Sequence, residues 1–448
     1  MTDQDSSSIS RRTFIGSVAA AGALAASCGS GGGGGRPDPG KQLGYTIPAL
    51  LDKAPEGQPL RAGLIGCGGR GTGAAAQFLQ AGDGLSIVAL SDVFPDRVAR
   101  TRRQLKERSN VDIADDMCFS GLEGYKQLIA TDVDVVLMAT PPYYRPEYFA
   151  AAVDAGKHTF IEKPACVDPV GGRSVMETAA KARTKGLVSV SGTNARHDRK
   201  TIEIYKRVMD GEIGDIMTIR AYFCTNEVWH VLPEKGQSDH DYMIRDWINW
   251  RWLSGDHIVE QQIHKLDATY WFMGAPPTKA IGFGSRARRI TGDQFDSFCN
   301  DFEWANGKHC LSACRQLDPA NHRYNVFIVG TDGVAEYGGI IYNNDGSVRL
   351  EVEKPKIGSG VQEHIDLVTA IRTGEQRIEA ADTAISTLMA VMGRETAYSG
   401  QEMTWEDLMK SDLKLEPPKD SRGRIRAIAH IPTPGGEERK TPGRFRKG

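Results

Sequence analysis

The sequence lacks an excess of charge of either sign. Its 448 residues contain 55 Lys and Arg against 57 Asp and Glu, a formal net charge of −2. Nucleic-acid-binding proteins usually show a clustered basic excess, so the composition gives no electrostatic case for a nucleic acid partner. The basic residues near the C-terminus alternate with Pro and Gly. Residues 416–448 are therefore interpreted as an extended basic tail, either solvated or lying across a partner subunit.

Cysteines at functional spacings are also lacking. The chain has eight cysteines but no Cys-x-x-Cys pair and no His/Cys cluster at zinc spacing. Cys310 and Cys314 share one face of a predicted strand, where strand rise separates them by roughly 13 Å, too far for a disulfide. We therefore expect neither a metal site nor a disulfide scaffold.

The N-terminal leader lacks the length of a membrane span. Arg11 and Arg12 precede an Ala/Gly-rich apolar stretch at residues 14–26, which is too short to cross a bilayer core of about 30 Å as a helix. The pattern predicts a twin-arginine export signal within residues 1–35, and hence the export machinery as a partner.

Cys28 and the glycines that follow it resemble a lipoprotein cleavage site with a flexible tether. Lipidation of Cys28 and ordinary cleavage near Ala26 are both open. Residues 36–59 are interpreted as a linker or arm. The leader predicts a periplasmic or cell-envelope protein, with or without a lipid anchor on Cys28.

Short apolar strands alternate with helical stretches through residues 60–193. This alternation predicts a doubly wound parallel sheet with helices on both faces. The predicted strands are 60–65, 86–90, 133–139, 158–161 and 187–190, and the predicted helices are 74–79, 98–108, 124–130, 145–155 and 170–185.

The pattern changes in residues 194–415, where helices are mixed with consecutive strands. Gly374 and Gly400 follow the last two helices as stop signals. The mixture predicts an α+β domain with antiparallel strands. The predicted helices are 201–209, 259–273, 362–372 and 381–398, and the predicted strands are 216–223, 279–283, 296–304, 309–315 and 325–329.

A glycine-rich loop joins the first strand to the first helix. Its first glycine permits a tight turn, its second lets the backbone approach a pyrophosphate, and its third lets helix and strand pack closely. The helix N-terminus attracts phosphate charge. The loop predicts dinucleotide binding by Gly66, Cys67, Gly68, Gly69, Arg70 and Gly71.

Asp92 ends the second strand, where it can accept hydrogen bonds from the ribose hydroxyls and repel a 2′-phosphate. NAD is therefore favoured over NADP. Arg97 keeps NADP open as an alternative, and Asp92 could instead be an ordinary turn residue.

Glu162-Lys163-Pro164 directly follows strand 158–161. Open parallel sheets bind ligands at the carboxyl ends of their strands, where this lysine falls. A partly desolvated lysine beside a nicotinamide can hydrogen-bond the reacting alcohol or carbonyl oxygen. Lys163 is a predicted catalytic residue, with a surface lysine as the alternative.

Glu260, His264 and Asp267 are spaced four and three residues apart, which predicts one helical face. The histidine could relay a proton while a carboxylate fixes its tautomer. A metal is compatible with the spacing, although no third ligand is evident. A buried histidine between ion-paired neighbours is the remaining alternative.

These motifs together resemble those of the Gfo/Idh/MocA oxidoreductases, over residues 60–410. The resemblance implies a Rossmann domain joined to an α/β domain with a large, open, mostly antiparallel sheet that often forms the oligomer interface, and hence a homo-oligomer. Two further segments carry it, Ala139-Thr140-Pro141 and Ala155-Gly156-Lys157-His158.

The resemblance also implies hydride exchange between a nicotinamide and a sugar or cyclitol carbon, with Lys163 and His264 as catalytic residues. Glu260, the third catalytic candidate, stands where the family more often has Asp. Thr140, Pro141, Glu162 and Lys163 match cofactor-binding positions. Many members have a histidine shortly after the Thr-Pro step, but this chain has Tyr143, Tyr144 and Arg145 there.

Aromatic and basic residues lie near the domain crossover and before Glu260. Trp faces beside Arg donors suit a sugar. For Trp247 and Trp250, a structural tryptophan cluster is an equal alternative. The predicted substrate residues are Arg196, His197, Trp229, His230 and Asp267.

The motifs predict an NAD-dependent sugar oxidoreductase whose tightly bound cofactor is regenerated by a second substrate. The alternative is a redox-neutral glycosidase that oxidises a sugar, eliminates the leaving group, adds water and returns the hydride. A degenerate binding module is a third hypothesis, against which the intact Lys163 and His264 argue. An exported protein has no cytoplasmic cofactor pool, so the leader favours a cofactor that stays bound.

Overall fold

The computed structural model describes residues 47–427, 429–433 and 437–441. The predicted export leader, with Arg11, Arg12 and Cys28, and residues 36–46 of the predicted linker lie outside the described residues. Among those that are described, none of the helices is long and apolar enough to span a membrane.

Residues 60–191 form a six-stranded sheet in which every strand pairing is parallel. Its elements are β1 (Leu60–Ile65), α1 (Gly69–Gln80), β2 (Leu85–Asp92), α2 (Pro95–Ser109), β3 (Cys118–Ser120), α3 (Gly124–Ile129), β4 (Val135–Met138), α4 (Arg145–Asp154), β5 (His158–Ile161), α5 (Pro169–Thr184) and β6 (Ser189–Ser191). The strand order is β3-β2-β1-β4-β5-β6. Because helical crossovers cover both faces, the central strand β4 is buried along its length. The predicted doubly wound sheet is confirmed.

Residues 199–410 form a second domain around a nine-stranded sheet. Its elements are α6 (Arg199–Met209), β7 (Ile216–Thr225), α7 (Asp239–Arg245), α8 (Arg251–Ser254), α9 (His257–Glu260), α10 (Ile263–Met273), β8 (Lys279–Ser285), β9 (Ser297–Glu303), β10 (His309–Gln316), β11 (Arg323–Gly330), β12 (Val334–Glu336), β13 (Ile340–Tyr342), β14 (Val348–Glu351), α11 (Ser359–Thr373), α12 (Ala380–Ser399), β15 (Met403–Thr404) and α13 (Trp405–Lys410). The strand order is β14-β13-β12-β11-β7-β10-β9-β8-β15. Only β7 and β10 pair in parallel, which confirms a mostly antiparallel sheet.

The nine-stranded sheet is covered on one face and open on the other. Leu266 and Trp271 of α10 and Leu388 of α12 belong to the core against the covered face. On the open face, Ile281 and Phe283 of β8 are exposed. The alternation of buried and exposed residues along the strands produces this one-sided sheet.

The single helix predicted over 259–273 is wrong, because α9 ends at Glu260 and α10 begins at Ile263. Gln262 lies at the break, and its amide donates to Ala221 O (3.2 Å) and Ser312 Oγ (2.7 Å) of the underlying sheet. These bonds to the sheet tie down the chain between the two helices.

The late helices return to the first sheet. In α11, Leu367 packs in one core with Phe78 of α1, and Arg372 donates to Pro55 O (2.7 Å) of the N-terminal arm. The C-terminal helices thus complete the first domain's core and hold the two domains together.

The tail predicted to be extended has regular structure near its end. Leu415 and Ile425 pack against an aromatic cluster that contains Trp252. Further on, β16 (Ala429–Thr433) and β17 (Glu437–Thr441) pair as an antiparallel hairpin.

Candidate active site

The glycine-rich loop lies between β1 and α1, at the carboxyl end of the parallel sheet. Gly66 has φ of +97°, a conformation that favours glycine. A Cβ on Gly71 would lie 1.8 Å from Gly66 O, so the loop and helix can approach only with glycine there. A Cβ on Gly68 or Gly69 would meet no described atom within 4 Å. The loop thus leaves open backbone at a helix N-terminus, which suits a phosphate.

Asp92 lines the same cleft as the loop. Its carboxylate accepts hydrogen bonds from Cys67 N (2.7 Å) and Phe94 N (2.9 Å). Burial raises the pKa of Asp92. Arg97 also lines the cleft. The residues predicted for the ribose are therefore placed together with those predicted for the pyrophosphate.

The cleft has a volume of about 320 Å³ and reaches Thr140 and Pro141. Within the described part of the chain, the buried Thr140 hydroxyl oxygen has no hydrogen-bond partner. Trp229, Ile244 and Trp247 of the second domain complete the wall. Open glycine backbone, an acidic strand end and an unpartnered hydroxyl fit a dinucleotide such as NAD.

Lys163 forms an ion pair with Glu260 at the entrance to α10. The Lys163 ammonium donates to Glu260 Oε1 (2.8 Å) and to Glu260 O (2.7 Å). Gln261 Nε2 donates to the other carboxylate oxygen of Glu260. The longer Glu in place of Asp therefore reaches Lys163 and is itself held. Both partners line a cavity of about 520 Å³.

Glu162, predicted to bind cofactor, lies beside this cavity rather than in the cleft. Its carboxylate pairs with Arg70 Nε (2.5 Å), and Arg70 Nη2 also contacts Glu363 of α11 (2.6 Å). Burial raises the pKa of Glu363. Lys163 N donates to Glu162 Oε2 (3.1 Å). Glu162 thus ties the catalytic turn to the glycine loop through Arg70.

Arg145 holds the two catalytic turns together. Its buried guanidinium donates to Thr140 O and to Pro164 O, each at 2.5 Å. These carbonyls belong to the turns that follow β4 and β5. Arg145 therefore fixes the position of Lys163 relative to Thr140, which lines the cleft.

His264 lies in the first turn of α10 and lines the cavity with Lys163 and Glu260. Burial, together with the positive charges of Lys163, Lys265 and Arg70, lowers the pKa of His264 well below its ordinary value. A neutral imidazole can accept a proton from a substrate. Because the helix breaks between Glu260 and His264, the two share a cavity and not one helical face.

Arg196 and Asp267, predicted to contact substrate, instead form a buried bidentate ion pair. Arg196 Nε and Nη2 donate to the two Asp267 oxygens, each at 2.9 Å. Their side chains are 1% and 2% exposed. Arg196 also lies over the rings of Tyr270 and Trp271. Within the described residues the pair offers almost no surface to a substrate, so its substrate role is corrected to a structural one.

His197, also predicted to contact substrate, is fully buried between two carboxylates. Its Nδ1 lies 2.7 Å from Asp366 Oδ2 and its Nε2 lies 3.2 Å from Glu379 Oε2. Burial opposes protonation, but Glu379 and Asp366 outweigh it and raise the pKa of His197 to about 10. The imidazolium joins α11 to α12, so its substrate role is likewise corrected.

The tryptophans separate into two groups. Trp229 is 49% exposed and lines the cleft, whereas its neighbour His230 is exposed outside the described cavities. Trp247 lines both the cleft and the catalytic cavity. Trp250 is buried in an aromatic core cluster. Trp247 also packs against this cluster. The structural alternative therefore holds for Trp250, whereas Trp247 both packs there and lines the two spaces.

The sequence motifs did not single out several residues that line the catalytic cavity. Asn194, Glu363 and Arg145 are among them, and Arg145 also joins the turns beneath Lys163. Asn194 begins the segment after β6, so its place at a strand end was an available signal. Glu363 reaches the site from 293 residues beyond Arg70, a separation that no local motif reveals.

Comparison with known families gives two consecutive matches. Residues 60–190 match the oxidoreductase family with an NAD-binding Rossmann fold, and residues 201–336 match the GFO/IDH/MocA C-terminal domain. The crystal structure of myo-inositol 2-dehydrogenase from Lactobacillus plantarum has the same fold, with a TM-score of 0.60 and 20% identity over 77% of this chain and 99% of that chain.

Two curated relatives show the range of the similarity. A glycosyl hydrolase family 109 protein of Streptomyces coelicolor is 28% identical over 216 residues, 46% of this chain and 43% of its own length. D-glucoside 3-dehydrogenase of Escherichia coli is 25% identical over 305 residues, 67% of this chain and 72% of its own length. The chain thus spans less than half the length of the Streptomyces relative. The two family matches together cover more than half of the sequence, and the chain belongs to the Gfo/Idh/MocA family of NAD-binding oxidoreductases.

Proposed function

We propose that this protein is an NAD-dependent oxidoreductase that acts on a CH–OH group of a carbohydrate or cyclitol. The observation that carries the proposal is the meeting of Lys163, Glu260 and His264 at one cavity. Arg70 and Trp247 line both this cavity and the glycine-loop cleft. A substrate in the cavity would therefore lie beside a dinucleotide in the cleft.

Lys163 and His264 divide the work on the alcohol. The Lys163 ammonium, held by Glu260, donates a hydrogen bond to the substrate oxygen and stabilises the negative charge that develops there. The neutral His264 accepts the hydroxyl proton. NAD, when bound, would supply the acceptor for the hydride that leaves the carbon. In the reverse direction His264 returns the proton to the carbonyl oxygen.

We further propose that NAD stays bound between turnovers. The indoles of Trp229 and Trp247 meet edge to face, with centroids 6.4 Å apart, and wall the cleft from the second domain. Trp229→Ala should therefore release NAD about tenfold faster, since one aromatic contact is lost. His230→Ala is the matched control. The measurement is nucleotide retained after gel filtration, and equal retention in both variants would contradict this role of Trp229.

A redox-neutral glycosidase is the second candidate, favoured by the relative named as a glycosyl hydrolase family 109 protein. Oxidation of one hydroxyl to a carbonyl acidifies the neighbouring C–H. A base removes that proton, the glycosidic C–O bond breaks, and the aglycone oxygen takes up a proton and leaves as its alcohol. Water then adds to the C=C bond, and the carbonyl takes back the hydride together with a proton. His264 faces the cavity and is a base for the C–H proton once it has passed the hydroxyl proton to solvent.

The leader and the open sheet support two proposals about location and assembly. Residues 1–35 support export of the folded, NAD-loaded chain to the periplasm or cell envelope, with or without a lipid on Cys28. Replacing Arg11 and Arg12 by Lys should leave the protein in the cytoplasm.

Phe283 is 70% exposed on the open sheet face, which supports a second copy there. Phe283→Glu should then reduce the mass measured by light scattering.

Purified full-length protein tests the function directly. The bound nucleotide is extracted and identified, and a panel of sugars, cyclitols and glycosides is followed by NADH absorbance and product mass. A keto-sugar with stoichiometric NADH supports the oxidoreductase. Release of aglycone without net NADH supports the glycosidase. Recovery of NADP alone would contradict the role of Asp92, and a protein that neither binds nucleotide nor converts any compound would overturn both activities.

A further inference from the structure

A second cavity, of about 330 Å³, adjoins the catalytic cavity. His264 and Asn194 line both spaces. The ring of His264 lies nearly parallel to Phe223, with centroids 6.5 Å apart, and Tyr324 meets Phe223 edge to face at 4.6 Å. A ligand that extends past His264 would therefore enter the second cavity.

Tyr324 gives this cavity an aromatic surface, because half of the residue is exposed. The Lys265 ammonium lies 3.3 Å from the centroid of the Tyr324 ring and 4.4 Å from that of Tyr337, and it donates to the Tyr337 hydroxyl. Lys265 itself is completely buried. Burial lowers the pKa of Lys265 to about 7. Lys265 thus lies over the Tyr324 ring, and the half-exposed Tyr324 lines the cavity.

Polar groups line the rest of the cavity. Glu336 and Asp198 contribute carboxylates, Thr201 a hydroxyl, and Asn325 an amide that donates to Glu336. Asp198 also accepts a hydrogen bond from Lys200 N (3.0 Å) at the start of α6, which fixes its position. Two carboxylates disfavour an anionic ligand, whereas neutral hydroxyl groups can donate to them.

We propose that this cavity binds a second, uncharged sugar ring, so that the protein acts on disaccharides or larger glycosides in preference to free monosaccharides. The inference rests on the proposed function, because the first ring must occupy the catalytic cavity. An aromatic face beside carboxylate and amide groups suits a pyranose, whose C–H face packs on the ring while its hydroxyls donate. The volume lies within the range of about 300–1,000 Å³ for small-molecule sites.

The test compares one ring with two on the NAD-loaded protein. The probes are the methyl glycosides of glucose, galactose and N-acetylglucosamine, set against cellobiose, maltose, β-1,4-galactobiose and chitobiose. For at least one sugar, kcat/KM should be about tenfold higher for the disaccharide, the equivalent of one aromatic contact. Saturation-transfer NMR should show transfer from the protein to both rings. Cellobiuronic acid, which carries a carboxylate on one ring, should bind more weakly than cellobiose.

Two variants at Tyr324 distinguish binding of the second sugar ring from the reaction at the first ring. Tyr324→Ala should remove the disaccharide advantage and the saturation of the second ring, while kcat/KM for the methyl glycoside stays the same. Tyr324→Phe, which keeps the ring, should behave like the parent protein. An equal loss for methyl glycoside and disaccharide would instead show a structural effect and overturn the subsite.

The failures of the two proposals are distinguishable. If methyl glycosides and disaccharides react equally and only one ring is saturated, the subsite is wrong while the oxidoreductase stands. If no probe binds or reacts in the NAD-loaded protein, the sugar activity itself fails, and the subsite fails with it.

Discussion

Two buried ion pairs in this protein join similar parts of the fold but have different surroundings. Lys163–Glu260 and Arg196–Asp267 each join a residue just beyond a strand of the parallel sheet to the helical segment at the domain junction. The first pair has side-chain exposures of 11% and 8% and lines a cavity. The second has exposures of 1% and 2% and is covered by aromatic rings. Access, and not charge complementarity, therefore separates a candidate catalytic pair from a structural one.

Removing the positive charge of Lys163 in the Lys163–Glu260 pair, which lines a cavity, should have the largest effect on activity. Lys163→Met should lower kcat by about 10²–10⁴-fold, because the substrate oxygen loses its hydrogen-bond donor. Bound NAD should stay close to that of the parent protein, and the thermal midpoint should fall less than in Arg196→Met, because Glu260 lines a cavity and keeps its contact with Gln261. Steady-state assays, nucleotide extraction and calorimetry measure the three properties. Lys181→Met, at the exposed pair with Asp154, is the control, and near-parental turnover in Lys163→Met would refute the catalytic role.

Removing the positive charge of Arg196 in the Arg196–Asp267 pair, which aromatic rings cover, should lower stability instead. Arg196→Met leaves Asp267 buried without its partner, so the free energy of unfolding should fall by about 3–5 kcal/mol. Urea unfolding followed by tryptophan fluorescence gives the value. Arg207→Met, at the surface pair with Glu203, should change stability little. A stable Arg196→Met protein with only a raised KM for sugar would restore the substrate role predicted from the sequence.

A smaller change, in the length of the Glu260 side chain, tests how much the Lys163–Glu260 contact depends on that length. Glu260→Asp introduces the residue that the family resemblance implies at this position and shortens the reach to Lys163 by one methylene. The Oε1 contact of 2.8 Å should be lost, while the contact to the Glu260 backbone oxygen (2.7 Å) remains. We expect kcat to fall about tenfold, the equivalent of one charge-assisted hydrogen bond, with KM unchanged. An unchanged kcat would mean that the backbone oxygen alone positions Lys163.

The same comparison explains what the sequence could predict. The glycine loop and Lys163 follow strand ends, so local pattern and the geometry of parallel sheets were enough to place them. His197 has partners 169 and 182 residues away, and burial between them depends on how α11 and α12 return to the first domain. The break after Glu260 likewise depends on bonds from Gln262 to the sheet. Spacing alone could not distinguish a residue facing a cavity from one enclosed by later chain.

The smallest expected effect is on the pH dependence of kcat/KM, through His264 beside the Lys163–Glu260 pair. Burial and neighbouring positive charges lower the pKa of His264 below its ordinary value, about 6.5. The base is neutral above its pKa, so a lowered pKa moves the acid-side loss of activity to lower pH. We therefore expect the acidic limb of kcat/KM that belongs to His264 to be centred below about pH 6.5. In His264→Gln the residual activity should lose this limb, whereas any change from Lys265, whose pKa burial lowers to about 7, should remain. A limb that is centred at or above pH 6.5 in the parent protein and is lost in His264→Gln would mean that His264 is solvated and not held neutral by the cavity.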